Sequence, residues 1–460
     1  MPGKFSIFLV LILLAAACQR APINTELLSP TDADVPSDPI LFSTPTQAEI
    51  SKTTAIPTME NNKMSFGLTY HNADGNRIIA GSGKLPFQKP IDIQLPGTPI
   101  WIIATSHNYG VMWTAALADG RIYSYFMGVN GDIVGEPLLI EIPAGMPPAA
   151  ISAGSKFSLV MVPDPEQSSL SHPIYLPLSD QRAYITNSGQ IKIIGASDNL
   201  VGSLEVHALP DARILRDEND RLLVLSDPTD KYDHGVLGDH LEAASITLIA
   251  TQPEPNIVSR FTLEENEVIE GIAPIWADMT GDNQREIIIT VSDLNQGAGI
   301  VIFSENGEQI AEGPKMGQPY RWRHQIAVSE FGTKGKTELA VVRTPHIRGT
   351  VEFYQLKDGQ LIVAAEFPGL TSHTIGSRNL DQAAAGDFDG DGFSELLVLS
   401  PDLSEYIALR RTRTGAEEAW RLPLDGIVSS NLAGAPLPDG RITIGAGRSD
   451  NVLRIWLPQN

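Results

Sequence analysis

The sequence predicts an all-β fold, a seven-bladed β-propeller of four-stranded antiparallel blades. Three observations lead there. Strand-like runs rich in Ile, Val, Leu, Tyr and Thr, bounded by Gly, Asn, Asp and Pro, dominate the chain, and no amphipathic helix longer than three turns stands out. One pattern, a small or apolar strand, a polar loop and a strongly apolar strand, recurs at 102–115, 149–162, 204–225, 272–291, 325–342, 382–399 and 431–446. The spacing is roughly 50 to 65 residues, the scale of a propeller blade. Finally, the acidic loop 387–395, DFDGDGFSE, has weaker copies elsewhere and so marks the repeat.

In chain order, residues 1–17 read as a targeting segment: Lys4, a continuous apolar run and three alanines stand before Cys18. The run is shorter than the roughly 20 apolar residues that a permanent span needs. Cys18 is the single cysteine, so no internal disulfide can form. A lone cysteine after a small-residue cleavage site resembles a bacterial lipoprotein lipobox, although Ala15 stands where Leu is commoner. That resemblance implies lipid on Cys18, and the absence of Asp after it favours an outer membrane. Residues 18–62, rich in Ser, Thr and Pro, carry no sustained apolar period and read as a flexible tether. Residues 63–460 form the propeller domain. A formal charge of −22 argues against nucleic acid or an anionic bilayer as the bulk partner. The expected address is the cell envelope, extracytoplasmic, on an outer membrane or cell surface.

Each repeat continues into a hairpin, and Asn130-Gly131, Ser188-Gly189, Asn306-Gly307, Asp358-Gly359 and Thr414-Gly415 are turn pairs of the right chemistry. The last repeat runs out of chain after one further strand. Residues 64–70 or 77–81 are expected to supply its outer strand, closing the ring through its termini and removing a free edge. The first strands are small, as in Ala383-Ala384-Ala385-Gly386, Ala149-Ala150 with Ala153-Gly154, and Ala433-Gly434-Ala435, which suits strands that converge on an axis. Two stacked β-sandwiches would not impose one period on the whole domain.

The chain here resembles the FG-GAP/VCBS family, whose blades carry an acidic loop like that of integrin α-subunit propellers. By that resemblance Asp387, Asp389, Asp391 and Glu395 would offer side-chain oxygens, and Phe393 its carbonyl, to structural Ca²⁺. Hard divalent cations want six to eight oxygens, which such a loop can supply. It is not an EF-hand, because Val398 stands at the twelfth position. The copy at 278–286 keeps Asp278, Asp282 and Glu286, with Thr280 in place of a carboxylate, so its affinity is expected to be lower. The copy at 330–338 puts Lys334 where a metal-facing Asp belongs and is expected to hold no metal.

If the loops between first and second strands share one face, the second-to-third loops and the links between blades share the other. Unusual side chains gather in these: Tyr232, Asp233, His234, Asp239 and His240; then Arg321, Trp322, Arg323 and His324; then His346 and Arg348; then His373, Arg378 and Asp381. Arginines around a groove favour carboxylate, sulfate or phosphate through bidentate bonds. The same side chains could instead pair with nearby carboxylates and pin the loops together. His324 and His346 could flank a metal, although lone loop histidines are more often hydrogen-bonded structure.

No GxSxG elbow, HExxH, cysteine nucleophile or zinc cluster occurs. Gly81-Ser82-Gly83-Lys84 and Gly335-Lys336-Thr337 fail as phosphate loops and read as turns. The expectation is a lipid-anchored calcium-binding module that takes a ligand, an anionic glycan or a protein partner on the face opposite the calcium loops, with no catalytic residue assigned. One alternative is an enzyme acting on acidic polysaccharide, lyase-like, with His234, His324, Tyr232 or His373 as base and Arg321, Arg323 or Arg378 neutralising a carboxylate. Another is a structural component of an envelope assembly.

Overall fold

Short apolar strands separated by Gly- and Asp-rich turns pair with their sequence neighbours, because tight turns bring them together at the lowest cost in loop entropy. The computed structural model describes residues 64–85 and 89–458, and among these every regular element is a strand. All belong to one compact unit, Pro57–Asn460. The expectations for 1–17, for Cys18 and for 18–62 lie outside the described residues.

Four consecutive antiparallel strands form each of the groups 99–141, 174–205, 215–262, 275–312, 323–370 and 384–423. A further group joins Val428–Pro436, Ile442–Arg448 and Val452–Trp456 to Ile91–Gln94. The turn pairs at 130, 306, 358 and 414 connect third to fourth strands as expected; Asp358 and Gly359 both take positive φ, at 51° and 76°, as a tight hairpin requires.

Two expectations are corrected. The outer strand beside the C-terminus is Ile91–Gln94, with Ile91 opposite Ile455 and Gln94 opposite Val452, and neither 64–70 nor 77–81. The segment 149–162 does not open a four-stranded group. Ala150–Ala153 instead pairs with Met64–Gly67 on one side and Lys156–Leu159 on the other, and the local group starts at Ile174–Leu176. Ser188-Gly189 therefore joins second and third strands of its group.

Residues 64–85 take a different course. The Ser65 hydroxyl accepts from Ser106 N, Tyr70 donates its hydroxyl to Ile214 O, and Trp276 N donates to Asp74 O. Asn76 bonds Val328 in both directions, Ile78–Ser82 runs parallel to Ala384–Asp387, and Ser82 N donates to Gly440 O. These partners sit in or beside the first strands of most groups, so the segment occupies the place where those strands converge. Ala383, Ala384, Ala385 and Ala433 are buried there, with little room beyond a methyl group. Gly83 is needed at the end of this segment: a Cβ on it would lie 1.8 Å from Phe388 O. The 81–84 sequence is thus a close backbone approach onto the 387–395 loop.

Candidate functional site

The two acidic loops are the places, among the described residues, where three acidic or histidine ligand atoms lie within 4.8 Å of one another: Asp387, Asp389 and Glu395 in one, Asp278, Asp282 and Glu286 in the other. In the first, Asp387 accepts from Gly390 N at 2.9 Å and from the Ser82 hydroxyl at 2.9 Å, and Glu395 accepts from Phe388 N at 2.9 Å. The Arg410 guanidinium enters the same cluster, 2.5 Å from Asp389, 2.9 Å from Asp391 and 3.3 Å from Glu395. Burial, then the neighbouring Asp389, pushes the Glu395 carboxyl up to about 8, with Arg410 opposing. The Phe393 ring is exposed.

In the second loop Asp278 accepts from Gly281 N at 2.6 Å and Asn283 N at 2.8 Å. Glu286 accepts from Met279 N and from the Thr280 hydroxyl. Among the described residues, no lysine or arginine is ion-paired to Asp278, Asp282 or Glu286. Both donor sets, carboxylates with a hydroxyl or carbonyl, suit a hard cation, and the second is the freer of an internal competitor. The 330–338 copy has Glu338 bound by Arg411 at 2.7 Å.

The candidate residues of the opposite loops fall into two sets. Some are locked in ion pairs. Arg323 is buried against Glu352 at 3.1 Å, and Arg378 bridges Asp211 at 2.8 Å and Asp239 at 2.6 Å. Asp381 holds Arg77 at 2.9 Å and the Thr69 hydroxyl at 2.7 Å, and His240 contacts Asp233. The others form a run of rings. Tyr232 stands 5.1 Å from Tyr320, Tyr320 5.5 Å from His234, His234 6.1 Å from His346, and His346 6.2 Å from His373. Trp322 packs 5.1 Å from His373 and stacks on His324 at 4.9 Å.

Hydrogen bonds fix this run. Tyr232 accepts from Tyr320 N at 2.6 Å, His234 meets Glu270, His324 meets the Ser372 hydroxyl at 2.9 Å, and His373 Nε2 meets Ser377 O at 2.7 Å. His324 Nε2, His346 Nδ1 and His373 Nδ1 have no hydrogen-bond partner among the described residues. Burial lowers His346 and His373 to about 4 and holds His324 well below its ordinary value, so these imidazoles are neutral at pH 7. Burial, with Glu270 beside it, raises the Tyr232 phenol, which stays protonated. The histidines do not bring three ligand atoms together as the acidic loops do.

Loops from three successive groups are joined by this run, and the sequence did not reveal Tyr320, Glu270 or Ser372 as parts of it. Arg410 was missed as well, because it lies on a neighbouring strand and leaves no mark in the loop spacing. Arg321 and Arg348 behave differently from their neighbours: among the described residues they and Arg413 are the arginines that make no ion pair. Arg348, with positive φ at 57°, and His346 border an open cleft of about 570 Å³ lined also by Thr371, Asp402 and Arg421.

No protein-family model matches the chain, and no curated protein matches it. A solved structure, the quinohemoprotein alcohol dehydrogenase of Comamonas testosteroni, is similar over 86% of this chain and 82% of its own, with TM-score 0.51 and 10% identity. The fold is a β-propeller. At such identity the likeness extends to the fold alone. The C-terminal WD40 domain of Sif2 covers 84% of this chain and 99% of its own at 8% identity and TM-score 0.49. BamB of Moraxella catarrhalis covers 81% and 98% at 11% identity and TM-score 0.39. No helix among the described residues of this propeller is long and apolar enough to cross a membrane.

Proposed function

We propose that this chain is a lipid-anchored, extracytoplasmic binding propeller of the FG-GAP/VCBS kind, stabilised by calcium, that takes a ligand or protein partner on its histidine- and arginine-bearing loops. The four-stranded groups, counted as blades, make seven, and Ile91–Gln94 beside Val452–Trp456 supports closure through one mixed blade. Asp278, Asp282 and Glu286, with Thr280, and Asp387, Asp389 and Glu395, with Asp391 and the Phe393 carbonyl, would hold structural Ca²⁺. Calcium would neutralise the clustered carboxylates of loops that join adjacent strands. Cys18 would carry the lipid at the end of the 18–62 tether.

The observation that carries the binding role is the pair Arg321 and Arg348. Among the described residues these two guanidinium groups make no ion pair, and they stand on loops fastened by buried rings, in a chain of net charge −22. Unpaired arginine on a preorganised surface suits recognition of carboxylate or another anion. Arg323, Arg378 and Asp381 support the loops from beneath, through the ion pairs described above. The test is a thermal-shift screen of the full-length protein with acidic oligosaccharides, phosphate and acidic peptides, with and without calcium. A stabilising anion class whose effect disappears in Arg321→Gln/Arg348→Gln supports the reading. Equal shifts in wild type and variant contradict it.

A further inference from the structure

Residues 230–241, 318–322, 344–348 and 373–378 belong to four different connections, yet they form one surface. Gly376 N donates to Val236 O at 2.7 Å, and Thr344 N to Trp322 O at 2.8 Å. Tyr320 N donates to the Tyr232 hydroxyl at 2.6 Å, and the Thr371 hydroxyl donates to Pro345 O. Tyr232, Trp322, His324 and His373 of the ring run are buried beneath it. On top of this fastened base the side chains turn outward in an unexpected way. Ile375 is 65% exposed, Ile347 57%, Leu241 40% and Tyr320 39%. Single exposed apolar residues are ordinary on any surface. Four of them on mutually bonded loops, together with Arg321 and Arg348 and, on the 230–241 loop, the exposed Asp230 and Asp233, make a patch.

We infer that this patch docks a protein partner through a segment that is apolar at its centre and acidic at its flanks. The inference rests on the binding role proposed above and narrows its partner. Aliphatic side chains such as Ile347, Ile375 and Leu241 gain little from a polyhydroxylated glycan, whereas they gain from covering by other apolar side chains. Carboxylates on the partner would meet the two unpaired guanidinium groups and steer the approach. The loops are already hydrogen-bonded to one another, so little ordering of this surface is required on association. An anionic bilayer is disfavoured by the repulsion of a strongly acidic chain.

The test selects random-sequence displayed peptides on the full-length protein, then compares wild type, Ile347→Ser/Ile375→Ser and Arg321→Gln/Arg348→Gln. Oligogalacturonate serves as the anionic-glycan probe. The changed side chains are at the surface, and circular dichroism and melting temperature confirm that each variant is folded. The expected result is enrichment of Asp and Glu around Leu, Ile or Phe, with affinity falling about tenfold or more in each variant. Binding lost in the arginine variant but intact in the isoleucine variant, or oligogalacturonate binding in place of peptides, leaves the binding role standing and overturns the apolar-acidic partner. Binding indifferent to both variants overturns both.

Discussion

Arg77 Nε lies 2.9 Å from an Asp381 carboxylate oxygen, and both side chains are sealed from solvent. The pair ties the segment that fills the centre of the propeller to the connection that leads into the 384–423 group. Arg213 stands 3.9 Å from the other oxygen, and Thr69 donates to it at 2.7 Å. Burial alone would raise the Asp381 carboxyl, yet Arg77 and Arg213 outweigh it and hold the group below its ordinary value.

Breaking one side of this arrangement leaves a buried charge without its partner. Asp381→Asn is expected to cost about 3–5 kcal/mol of unfolding free energy, read from urea denaturation at pH 7. Because the folded carboxyl titrates lower than the unfolded one, its contribution is present above about pH 4 and is lost as the pH falls through the lowered value. An unchanged denaturation midpoint in Asp381→Asn would show that the central segment is held by other contacts.

A second pH effect has the same direction and a higher onset. Burial lowers His71, His172, His346 and His373 to about 4, so the folded chain keeps them neutral while the unfolded chain protonates them near 6.5. Between these values the unfolded state binds more protons, and stability falls as the pH is lowered from about 6.5 towards 4. Melting temperature measured across that window should fall steadily, and His373→Gln should flatten the slope.

Arg410 acts as a tethered cation within the 387–395 loop, and an added cation must contend with it. Arg410→Gln is expected to lower the melting temperature in chelator and to enlarge the stabilisation that calcium produces. Asp278→Asn should reduce that stabilisation in the wild-type background. Calorimetric titration of both variants checks the pair of outcomes. A calcium response unchanged by either would remove both loops from consideration.

Gly83 reports on the contact between the central segment and the same loop. Gly83→Ala places a methyl group where the Phe388 carbonyl stands. The forced backbone shift should cost about 1–3 kcal/mol, seen in chemical denaturation. A neutral result would mean that the segment does not lie against the loop.

The hairpin turns were legible because their chemistry is local: Asn130-Gly131 and Asp358-Gly359 declare themselves whatever surrounds them. The acidic loops were legible for the same reason. The strand that pairs with the C-terminus was not. Ile91–Gln94 is short and alternates apolar with polar residues, and its partner Val452–Trp456 lies at the far end of the chain. Residues 64–70 looked equally suitable, since an apolar run is wanted both by an outer strand and by a converging centre. The loop face was legible in residue type but not in role. Nothing in the sequence separates Arg378, locked between Asp211 and Asp239, from Arg348, which makes no ion pair among the described residues.

The most direct measurement is hydrogen exchange on the full-length protein with and without a selected peptide. Slower exchange confined to 230–241, 318–322, 344–348 and 373–378 is the predicted result. Protection at 278–286 and 387–395, or on no loop at all, would contradict a binding face on the histidine-rich side.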